Sequence, residues 1–102
     1  MTCKKPIPLA RAILIILLKH EFNGIKEHKL YRKLKQFEKK GIINKFSVDH
    51  YAEILALLFL KNNIYSVKWR FYPNTLLLRK NKKYWQILMS TYQCIYGEKY
   101  EK

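Results

Sequence analysis

From Leu9 to His20 nearly every position is apolar, with Ile13, Leu14, Ile15, Ile16, Leu17 and Leu18 in unbroken succession. Pro6 and Pro8 stand just before this run, and proline suits the first turn of a helix. The pattern predicts a helix over 9–20 that is buried on most of its sides. Its β-branched stretch also permits a buried strand. Asn23 and Gly24 end the run. A second helix is predicted over 27–41. There Leu30, Leu34, Phe37 and Gly41 form one stripe, and Lys29, Arg32, Lys33, Lys35 and Lys39 cover the rest. Gly41 is the expected C-cap, and residues 42–46 form a short extended link or strand. Asp49 is the expected N-cap of a third helix, 50–61, with Ile54, Leu57 and Leu58 turned inward. In the strand that follows, Tyr65, Val67, Trp69 and Phe71 alternate with Ser66, Lys68 and Arg70. Pro73-Asn74 marks a turn, and Leu76 to Arg79 returns as the second strand of a hairpin. Asn81 then caps a fourth helix, 82–96, carrying Trp85, Leu88, Met89 and Tyr92 on one face and ended by Gly97.

The pattern repeats. Slid along itself by 42 positions, the chain sets Ala10 on Ala52, Leu18 on Leu60, Lys19 on Lys61 and Lys26 on Lys68. Phe22 then falls on Ile64 and Ile25 on Val67. We expect one α+β domain over 1–102, helix-rich, with a short antiparallel hairpin. It would pack two similar helix–strand/loop–helix motifs, about 8–46 and about 49–97, with a groove at their seam.

Charge narrows the partners. Against 21 Lys and Arg stand 7 Asp and Glu, giving a net charge of +14. Such a field favours anionic partners, and 15% aromatic content excludes a disordered basic tail. Arg occurs only at 11, 32, 70 and 79, so nucleic-acid binding would rest on counterion release with little base readout. Cys3 and Cys94 are too few for a disulfide framework, which favours an intracellular setting, hyperthermophiles excepted. Lys4 and Lys5 before the apolar run imitate a signal peptide. No cleavage site follows, and the apolar runs 12–18 and 54–60 are too short for a membrane span. A soluble chain that is not secreted is the expectation.

The candidate chemistry is sparse. Ser47, Asp49 and His50 are sequence neighbours at a helix start, where capping accounts for Asp49. His20, His28 and His50 lack metal-ligand spacing, and His20 and His28 are expected at the surface. The seven acids form no acid/base pair, and Gly24, Gly41 and Gly97 are all taken by helix ends. A non-enzyme without cofactor or metal is predicted. The favoured function is a protein-interaction module that binds a peptide in the groove or along an open sheet edge. Its anchors would be Tyr65, Trp69, Tyr72, Tyr84 and Trp85. The alternative is a non-specific nucleic-acid binder using Lys33, Lys35, Lys39, Lys68, Arg70, Arg79, Lys82 and Lys83.

Two resemblances bear on this. Lys29 to Lys40 with Leu30, Leu34 and Phe37, followed by Gly41-Ile42-Ile43, is similar to the recognition helix and following strand of winged-helix DNA-binding domains. It departs from them in that one helix, not two, is predicted before it. The preference for Lys over Arg, the abundant Ile, Leu and Tyr, and the opening MTCKKPIPLARAILIILLKHEF resemble small orphan proteins of filamentous viruses infecting hyperthermophilic archaea, such as Acidianus filamentous virus. That resemblance implies synthesis in the host cytoplasm and no functional residues.

Overall fold

A helix that is apolar on every side must be enclosed, and α1 (Leu9–Lys19) is. Ala12 through Leu18 are all buried, and α1 packs against three other helices and a strand. Each of its fully buried Ile and Leu side chains contributes roughly 1.5–3 kcal/mol through removal from water. The computed structural model describes residues 5–67, 74–79 and 85–97, with the backbone alone of Trp85.

The elements follow α1 in the order β1 (Ile25–Lys26), α2 (Glu27–Lys39), α3 (Val48–Leu60), β2 (Ile64–Val67), β3 (Thr75–Leu78) and α4 (Trp85–Tyr96). The fold is a small α+β domain: four helices around a three-stranded antiparallel sheet of order β1-β3-β2. Ile25 pairs with Leu76, and Ile64 pairs with Leu78. Ahead of α1, the Ile7 N–H donates to the Ile42 carbonyl at 2.9 Å, tying the start of the described chain to the link after α2.

Leu30, Leu34 and Phe37 bury the inner face of α2, as their spacing predicts. Gly41 takes φ +75° and closes a Schellman cap, with its N–H on the Glu38 carbonyl and that of Ile42 on the Phe37 carbonyl. α3 ends the same way with Asn62 at φ 59° in the left-handed position. Two details of α3 differ from the sequence expectation. The N-cap is Ser47, whose hydroxyl accepts from the His50 N–H at 3.1 Å, and Asp49 lies within the first turn. The buried stripe is Tyr51, Leu55 and Leu58, while Leu57 is 43% exposed. On β2 it is Ile64 that is buried, whereas Tyr65 is only half-buried. The Asn81 cap predicted for the fourth helix lies outside the described residues.

One helix, α1, precedes α2, with the short strand β1 between them. The order is thus helix, strand, helix, helix, then a two-strand hairpin whose last strand is central in the sheet. The connection 40–47 is longer than the three- or four-residue turn of a tight helix-turn-helix.

Candidate functional site

With its inner face committed to the core, α2 presents a cationic outer face. Lys29, Arg32 and Lys39 are exposed, as is Lys40 just beyond the helix, with Gln36 among them and Lys33 half-buried beside them. Glu38, which could neutralise this face, is turned toward the core. Its Oε2 accepts from the Phe46 N–H at 3.1 Å and lies 3.5 Å from the Lys35 ammonium. Lys35 follows it inward, 4.4 Å above the Phe46 ring and 5.6 Å from that of Tyr31. Tyr31, Phe46 and Tyr51 form an edge-packed aromatic cluster at the junction of α2 and α3, with Tyr31 and Tyr51 centroids 5.1 Å apart.

α3 contrasts with α2. From 48 to 60 it carries no Lys or Arg, and its exposed positions include Val48, Asp49, Glu53, Ala56 and Leu60. Asp49 and Glu53 repel phosphate, and the apolar side chains offer no donors to base edges.

Three depressions around these helices are lined by described residues. The first, of about 410 Å³, lies between the turn after α1, the start of α2 and β3, and is lined by His20, Gly24, Lys26, Lys29, Lys33 and Thr75 among others. The Nε2 of His20 is buried without a hydrogen-bond partner. Burial, then Lys33, Lys19 and Lys29, holds the imidazole below its ordinary pKa of 6.5. A second, of about 380 Å³, runs between α1 and the α3–α4 pair, with Ala10, Leu14, Ile54, Leu57, Ile87 and Leu88 in its wall. The third, of about 580 Å³, has Glu27, His28, Tyr31, Val48, Tyr51 and Asn74 around it. The Tyr51 hydroxyl is buried without a partner, and its pKa is raised to about 12 by burial, then by Glu27 and Tyr31.

The predicted sites are only partly brought together. Of the aromatic anchors, Tyr65 lies on β2 with the Arg79 guanidinium 4.9 Å from its ring centroid and is not in the wall of the seam groove, whose described lining holds no aromatic residue. Trp69, Tyr72, Tyr84 and the Trp85 side chain lie outside the described residues, as do Lys68, Arg70, Lys82 and Lys83. Lys33 and Lys39 are on the α2 face as anticipated, whereas Lys35 is engaged with Glu38 and the aromatic cluster. His20 is half-buried, not at the surface. The spacing of Lys26, Lys29 and Lys33 was the one available signal for the first depression; nothing in the sequence places Thr75 beside it. Cys94, on α4, is disulfide-bonded, and the chain's other cysteine, Cys3, is outside the described residues.

Among the described residues no group of three or more His, Cys, Asp or Glu is placed to hold a metal ion, and no helix is long and apolar enough to cross a membrane. Comparison with protein families, with curated proteins and with solved structures finds no match to this chain.

Proposed function

We propose that this protein binds nucleic acid through the outer face of α2, gripping the phosphodiester backbone without reading base sequence. The observation that carries this reading is the uncompensated cationic face: Lys29, Arg32, Lys33, Lys39 and Lys40, with Glu38 withdrawn toward Phe46. Lys29 to Lys39 spans about 15 Å along the helix axis, enough to follow several successive phosphates. The acidic and apolar surface of α3 argues against insertion of that helix into a groove. Sequence independence follows, since lysine contacts to phosphate position a protein without specifying bases.

The test is fluorescence anisotropy with two unrelated oligonucleotide sequences, single- and double-stranded, over a salt series. Neutralisation of five phosphates predicts a log–log slope of about −4.5 on duplex DNA. Lys39→Gln with Lys40→Gln reduces it by about 2. Equal affinity for the two sequences is expected; a slope near zero overturns the reading.

A second reading, a protein-interaction module, is favoured by one observation. The groove between α1 and the α3–α4 pair separates the two expected motifs, and beside it Leu57, Leu60 and Ile87 are 43%, 78% and 52% exposed. Arg11 and Lys61 also line it, which suits an amphipathic helix with acidic flanks. On that reading Leu57→Glu and Ile87→Glu abolish binding of such a helix and leave DNA affinity unchanged.

A further inference from the structure

The depression at the end of α1 has the chemistry of an anion seat. Lys29 and Lys33 lie one helical turn apart on α2 and Lys26 immediately precedes that helix, so three ammonium-bearing side chains line a cavity of about 410 Å³. That volume is within the range of small-ligand sites. No carboxylate lines it; Glu21, next to His20 in the chain, is not in its wall. Among the described residues neither Lys29 nor Lys33 is ion-paired. Convergent like charges disfavour one another, and a bound anion relieves Lys29 and Lys33 together. The second observation is independent of charge. His20 lines the same cavity and its Nε2 is buried without a partner, and a buried polar atom left unpaired costs about 1–3 kcal/mol. Gly24 brings the backbone close to β3 at the cavity wall, so little side-chain bulk occupies it.

We propose that this cavity seats one phosphate group, held by the Lys29 and Lys33 ammoniums and by a hydrogen bond from the His20 Nε2–H. The group belongs to a nucleic-acid strand or to a free nucleotide, which share this chemistry. The proposal deepens the α2 backbone contact by fixing where one phosphate sits, and it rests on that reading only for the strand as the owner of the phosphate.

The experiment is an NMR titration of isotope-labelled protein with inorganic phosphate, with ADP and with an oligothymidylate, each against sodium chloride at matched ionic strength. Saturable movement of the His20 ring signals and of the Gly24 and Thr75 amides is expected with all three. Lys29→Gln with Lys33→Gln weakens the phosphate response at least tenfold, whereas Lys39→Gln with Lys40→Gln leaves it unchanged. Seating of phosphate and ADP without oligonucleotide binding supports the cavity, assigns it to a nucleotide and overturns the α2 reading. Oligonucleotide binding with His20, Gly24 and Thr75 unmoved overturns the cavity and leaves the α2 reading intact. Absence of any response overturns both.

Discussion

Gly24→Ala tests the packing that shapes this cavity. Gly24 has φ +72°, and its N–H donates to the His20 carbonyl at 2.7 Å, closing the turn that feeds β1. A Cβ there would lie 2.5 Å from the Thr75 Cγ2, 2.8 Å from the Leu76 carbonyl oxygen and 2.9 Å from the Leu77 Cγ. The Leu76 oxygen belongs to the β1–β3 ladder, so the collision cannot be relieved by a side-chain rotation alone. Gly41 provides the control: its φ is +75° and nothing lies within 4 Å of its would-be Cβ. Both substitutions carry the left-handed backbone penalty of roughly 1–2 kcal/mol and the same reduction in unfolded-chain freedom. Their difference isolates the overpacking, about 2 kcal/mol. Thermal unfolding followed by circular dichroism should therefore place Gly24→Ala roughly 8–16 °C below Gly41→Ala. Equal melting temperatures would refute the close approach of this turn to β3, and with it the shape of the cavity.

Three further outcomes are expected. Ser47→Ala costs about 1 kcal/mol in urea unfolding through loss of the α3 cap, and Asp49→Ala costs less; the reverse order would return the cap to Asp49. Tyr51 and Tyr96 ionise at about 12 in spectrophotometric titration, both raised mainly by burial. Because their folded pKa lies above the unfolded value of about 10, they support folding below pH 10, and that support is lost as pH rises from 10 to 12. Tyr96→Phe should flatten the alkaline fall in stability, and an unchanged fall counts against the buried phenol. Unreduced protein should take up no iodoacetamide at Cys94, and labelling without reductant contradicts the disulfide.

Much of the helical framework was legible because its signals are local. The unbroken apolar run 12–18 demanded an enclosed helix, and Leu30, Leu34 and Phe37 are one stripe at helical spacing. Gly41 meets the steric need of a left-handed cap. The phase of α3 was ambiguous, since Ile54 through Leu60 are all apolar and periodicity cannot choose among faces. Ser47 and Asp49 both suit a helix start, and only the hydrogen bond to His50 distinguishes them. β1 has two residues, too few to display a period, so this strand was hidden. The cavity required tertiary information. Lys26, Lys29 and Lys33 share a face in the sequence, but Thr75 reaches them only through the β1–β3 pairing. The direction of Lys35 was likewise set by Glu38 and Phe46, not by its place on the helix.

The central proposal is that α2, and not α3, meets nucleic acid. Amide chemical-shift mapping with a duplex of arbitrary sequence at low salt tests it most directly. The account predicts perturbations from Lys29 to Lys40, with Ala52 to Leu60 on α3 unmoved. Perturbations concentrated on α3, with α2 silent, would contradict it.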